Sequence, residues 1–121
     1  MKFSCLTWNT AKRLKYVYDQ VKLIQQTNPD IVALQEVIIS SDKKFKRLLA
    51  SHYPYIASSF DLAPDMSVLT KKRMFGQIIA SKFPLQPEDP NKLDIPWQER
   101  VLTVNIQLNG NEITMHTTHI P

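Results

Sequence analysis

Apolar and polar positions along the chain change period several times, and each change marks an element. Residues 2–8, KFSCLTW, are rich in β-branched and aromatic types and predict a first strand. NTAKR breaks that pattern. From Leu14 the apolar positions fall at Leu14, Val17, Val21 and Ile24, the spacing of a helix with one buried stripe. Pro29 ends the helix, because it disfavours helical geometry at Asn28. DIVALQEV, residues 30–37, then reads as a strand that is apolar on both faces from Ile31 to Leu34. Strand, helix and apolar strand form a βαβ unit, right-handed, with the two strands parallel.

A second helix is expected near Ser40 or Ser41, with Asp42 in its first turn and Phe45, Leu48 and Leu49 facing inward. YPYIASSF (53–60) and FGQIIASKFPL (75–85) read as further strands. Residues 61–74 and the Pro-rich 84–96 read as loops. RVLTVNIQL alternates, with Leu102, Val104, Ile106 and Leu108 on one face. Asn-Gly follows as the core of a tight turn, and EITMHTTHI returns with Ile113, Met115, Thr117 and His119 on one face. A parallel opening that runs into an antiparallel hairpin predicts an α/β (α+β) fold: a mixed sheet with flanking helices, in one domain over residues 1–121. A hairpin ending there leaves an apolar sheet face to be covered, which favours a homodimer or a complementing chain.

Composition narrows the classes. The chain has 121 residues, 43% hydrophobic and 21% charged, so it is globular and neither disordered nor fibrous. Its formal charge is +4, with basic clusters at 12–15, 43–47 and 71–73 that either line a solvated face or attract phosphate-rich partners. The lone Cys5 cannot form an intramolecular disulfide and sits in a strand pattern that suggests an inert buried thiol. No signal-peptide pattern and no run near the ~20 apolar residues of a membrane span is present. A cytoplasmic protein is the expectation.

The candidate chemistry begins where the second strand stops being apolar. In a parallel pair both carboxyl ends open on one edge of the sheet, so Asn9 and Glu36 fall at the same rim, where open α/β sheets commonly place ligands. An unpaired buried carboxylate is costly, so Glu36 must reach water or a cation. It can bind Mg²⁺, or pair with a nearby Lys on the surface. Asn9 can serve the ligand shell or simply cap a turn. His119 ends a strand, where its imidazole can meet a phosphate oxygen, whereas His116 points to the opposite face and His52 resembles a helix-terminal residue. Arg100 can pair with a phosphate, although Glu99 and Glu88 are equally available. There is no Gly-rich phosphate loop, no CxxC or HExxH pattern and no GxSxG elbow.

Taken in order, LTWNT, PDIVALQEV, FGQIIASKFPL and ERVLTVNIQLNGNEITMHTTHIP closely resemble the N-terminal half of the endonuclease/exonuclease/phosphatase superfamily, which includes deoxyribonuclease I and exonuclease III-type enzymes. The resemblance implies Mg²⁺-dependent (or Mn²⁺-dependent) hydrolysis of a phosphoester, with nucleic acid slightly favoured. It places the family's motif asparagine on Asn9, its metal-binding glutamate on Glu36, and a residue contacting the scissile phosphate on His119. It implies a four-layer sandwich, of which this chain would supply one sheet and its flanking helices. The family's later Asp-x-Asn segment and terminal Asp-His pair have no counterpart here, so the chain is read as a truncated half with little activity alone. A non-catalytic assembly module and a small basic nucleic-acid-binding domain are the alternatives.

Overall fold

The computed structural model describes residues 2–11, 14–62, 75–92 and 100–118. Strand β1 (Cys5–Asn9) leads through helix α1 (Val17–Thr27) to strand β2 (Ile31–Ile38), and β1 and β2 are parallel. The helix begins three residues later than the apolar spacing suggests, so Leu14 precedes it and is exposed, and Gln20 joins Val17, Val21 and Ile24 on the buried stripe. Asn28 caps it in the left-handed conformation at φ 53°, a geometry that asparagine tolerates and that keeps the residue before Pro29 out of the right-handed helix.

Helix α2 (Ile39–Leu49) follows β2 directly. The Ser41 hydroxyl stitches its start, donating to the Ile38 carbonyl at 3.0 Å and accepting from the Ile38 amide at 3.2 Å. Phe45 and Leu49 face the core as expected. Strand β3 (Tyr55–Ser58) is shorter than the sequence suggests, because Ser59–Leu62 turns into a helical segment, α3. The rest of the expected loop, 63–74, lies outside the described residues.

FGQIIASKFPL divides. Strand β4 (Phe75–Ser81) completes a mixed sheet of order β1-β2-β4-β3, while β5 (Leu85–Pro87) leaves it for a second sheet. The Pro-rich stretch is therefore no plain loop: it holds β5 and a 3₁₀ turn at Pro90–Lys92, and 93–99 lies outside the described residues. Strands β6 (Val101–Leu108) and β7 (Asn111–Thr118) form the hairpin, with Asn109 at φ 47° and Gly110 at φ 83° in the two-residue turn.

The fold class matches the expectation, but the chain supplies strands of two sheets instead of one. Alternation tells which residues point in; it does not say which sheet a hairpin joins. β5-β6-β7 packs on the first sheet, and Ile31, Ala33 and Ile79 meet Leu102, Val104, Ile106 and Leu108 across a dry seam. On the other face, Val32, Leu34, Val37, Ile78 and Ala80 pack against α1 and α2. The sheet face expected to be bare is thus covered from within, which removes that argument for a homodimer. Among the described residues no helix is long and apolar enough to cross a membrane.

Candidate functional site

The site is built around an irregularity in β2. Its ladder with β4 pairs Leu34 with Ile78 and Val37 with Gly76, so Gln35 and Glu36 together oppose the single residue Gln77. This is a β-bulge, and Glu36 adopts φ 54°, which L-residues with a Cβ rarely visit. The bulge also shifts the alternation: Val32 and Leu34 face the helices, and after it the odd-numbered Val37 does so too. Glu36 is half-buried.

The end of β1 is latched onto this bulge. Asn9 registers with Gln35, and Thr10, fully buried, donates its amide to the Gln35 carbonyl at 2.9 Å. The Thr10 hydroxyl lies 3.0 Å from the Gln35 carbonyl and 3.1 Å from that of Glu36. Asn9 is exposed, and its Oδ1 accepts from the amide of Ala11 at 2.9 Å, closing a turn in which Ala11 takes φ 57°. Its cap role is therefore realised, which leaves the Nδ2 end of the amide directed by that turn.

The second sheet arrives at the same place. Gln35 Nε2 donates to Thr7 Oγ1 at 2.9 Å and to Thr117 Oγ1 at 2.7 Å, bridging β1, β2 and β7. Thr117 pairs with Leu102 and Thr118 with Val101, so half-buried Arg100, just before β6, stands at this edge. The backbone thus brings Asn9, Glu36 and Arg100 to one rim. His119 lies outside the described residues. His116 is exposed on the far face of β7 with Nδ1 2.8 Å from Thr103 Oγ1, and His52 sits beside Ser51 and Gln25 after α2. Neither joins the site.

Three features escape a reading by pattern. Gln77 is fully buried, and neither atom of its amide has a hydrogen-bond partner among the described residues. Gln20 Oε1 is likewise buried and unpartnered, at the wall of a cleft of about 450 Å³ lined by Trp8, Tyr16, Asp19 and Leu23 that opens beside Asn9. Cys5 is exposed, contrary to expectation, because edge strand β1 carries it past the cover of the second sheet. Partial desolvation still pushes its thiol up from the usual range.

Among the described residues no three His, Cys, Asp or Glu side chains gather as a metal site. Among the described residues the rim offers the Glu36 carboxylate and amide oxygens, all hard donors. That set suits Mg²⁺, which keeps several waters and takes one or two carboxylates plus substrate phosphate, and it does not suit a closed zinc site.

Residues 6–119 match the model of the Endonuclease/Exonuclease/phosphatase family, and the chain belongs to that family. Among solved structures it is similar to truncated Caenorhabditis elegans TDP2, with 19% identity and a TM-score of 0.66 over 98% of this chain and 46% of that one. It is similar to D. rerio TDP2 complexed with single strand DNA product, with 16% identity and a TM-score of 0.61, covering 98% and 46%. An AP endonuclease from Archaeoglobus fulgidus shares 18% identity at a TM-score of 0.54, covering 93% and 40%. The chain spans less than half the length of each of these proteins. No curated protein matches it.

Proposed function

We propose that this chain carries the first half of a metal-dependent phosphoester hydrolase site. One observation carries the reading: the bulge at Gln35–Glu36 puts a carboxylate on strained backbone at the rim where β1, β2 and the β6–β7 hairpin converge. Strained backbone is commonly held at functional sites. Glu36 would hold Mg²⁺ or Mn²⁺, and Asn9 would steady the ligand shell. Arg100 and, by resemblance, His119 would meet phosphate oxygens. When bound, the cation supplies charge neutralisation on the phosphoryl group. The chain's own contribution is to fix the carboxylate through the Thr10 latch and to present donors at the phosphate. The resemblance assigns the water-activating base to a part of the family that these residues do not match, so this chain alone should hydrolyse little.

A nucleic-acid phosphodiester is the favoured substrate class, on the +4 charge and on the similarity to a TDP2 that was solved with a single-strand DNA product. The cytoplasm is the favoured compartment, on cysteine usage. The test is Mn²⁺ binding followed by electron paramagnetic resonance, together with plasmid nicking in Mg²⁺. Binding that disappears in Glu36→Ala, with negligible nicking by the unaltered chain, is the expected result. Undiminished Mn²⁺ binding by Glu36→Ala would overturn the assignment.

A second reading, a module completed by another segment, is favoured by one feature. β1 is an edge strand, and Phe3, Tyr16 and Leu23 are exposed at or near it. An open edge with apolar neighbours is a template for strand addition. Light scattering separates the two: self-association that persists in Glu36→Ala supports the module, and a stable monomer speaks against it.

A further inference from the structure

Gln77 sits in the middle of the fold with an amide that has no hydrogen-bond partner among the described residues. Its exposure is 0%, its backbone amide is taken by Ser59 Oγ at 2.9 Å, and both Oε1 and Nε2 lack partners among the described residues. Buried amides in native proteins almost always find partners, because leaving them unpaired costs their full desolvation. Alternation along β4 puts Ile78 and Ala80 on the helix side and Ile79 in the seam, so Gln77 shares the seam side. An apolar residue there would extend the dry seam at no such cost. The ladder places this one polar residue directly opposite Gln35 and Glu36.

We infer that Gln77 is a positioning residue for the cation site, an inference that rests on the function proposed above. Its amide offers two donor hydrogens and an acceptor oxygen. With a cation held at Glu36, Nε2 would donate to the Glu36 carboxylate and Oε1 would be left to accept from a water. Mg²⁺ and Mn²⁺ sites held by few carboxylates keep such waters. Groups that orient a ligand from behind typically change metal affinity by 10–100-fold when removed. The unpaired amide of the free protein is then a cost retained for the occupied state.

The experiment uses the full 121-residue chain and Gln77→Met, which keeps volume and chain length while removing both polar atoms. Thermal unfolding without metal and Mn²⁺ titration by electron paramagnetic resonance are read together. The expected result is a higher melting temperature with Mn²⁺ bound roughly 10–100-fold more weakly. Gln77→Leu should behave alike. A raised melting temperature with unchanged affinity would show the amide to be a packing defect only. A lowered melting temperature, or a Met variant that does not fold, would show that the amide is paired in the free protein and would also overturn the inference. Failure of the wild-type chain to bind Mn²⁺ through Glu36 would instead remove the proposed function, and this inference with it.

Discussion

Glu36 is the residue on which backbone and chemistry disagree. At φ 54° a Cβ is crowded, and a non-glycine residue in this region costs about 1–2 kcal/mol. Glu36→Ala and Glu36→Gly both delete the carboxylate, but only glycine relieves the backbone. Glu36→Gly should therefore be more stable than Glu36→Ala by about 1 kcal/mol in urea unfolding, with neither binding Mn²⁺. Equal stabilities would mean that the bulge relaxes when the carboxylate is gone. The sequence made the polar pair visible, since Gln35 and Glu36 interrupt an apolar run. The bulge itself was not legible, because its usual signal, a glycine at the left-handed position, is absent.

At the level of elements, the strand that faces the bulge is itself tightly packed. Gly76, opposite Val37, has no room for a side chain: an added Cβ would lie 2.6 Å from Phe60 Cε2 and 2.7 Å from Ser59 Oγ. Ser59 is also the acceptor for the Gln77 amide. Gly76→Ala should destabilise by about 1–3 kcal/mol, as overpacking does, and weaken Mn²⁺ binding by loosening β4 against β2. Calorimetry and the same Mn²⁺ titration check both effects; a stability loss with intact binding would confine the damage to α3. The hairpin shows the opposite case, in which the sequence was sufficient. Asn109 and Gly110 are the residue types that a turn with two positive φ angles demands, and Leu102 to Leu108 alternate without a break. What the alternation could not say is that β5 and this hairpin would form a sheet of their own. That choice is made by the shape of the seam, a long-range fit of Ile79 and Ala33 against Val104 and Ile106, which carries no local signature.

For the whole molecule, the stability against pH has a defined weak side. Tyr53 is buried with its hydroxyl donating to the Pro29 carbonyl at 2.7 Å, and burial, with the nearby charge of Asp30, pushes its phenol up to about 12. The unfolded chain releases this proton near pH 10, the folded one only near 12. Below pH 10 the contribution is complete. Between those values the unfolded state binds fewer protons, so stability falls by up to about 1.4 kcal/mol per pH unit from this group. Denaturant midpoints measured from pH 8 to 12 should decline above pH 10. Tyr53→Phe should flatten that decline while lowering stability at pH 8 by about 1–3 kcal/mol, since it strands the Pro29 carbonyl. An unchanged alkaline slope in Tyr53→Phe would assign the decline to other groups.

The displaced phase of β2 has one more consequence. If Glu36 were cut out of the chain altogether, Leu34 and Val37 would still lie under the helices, and Gln35 would stand alone across from Gln77, in an unbroken ladder. What would be lost is the Glu36 carbonyl that the Thr10 hydroxyl meets at 3.1 Å, and the carboxylate that the proposed catalysis requires. The extra residue thus puts an acidic group at the rim without moving the apolar positions on either side of it.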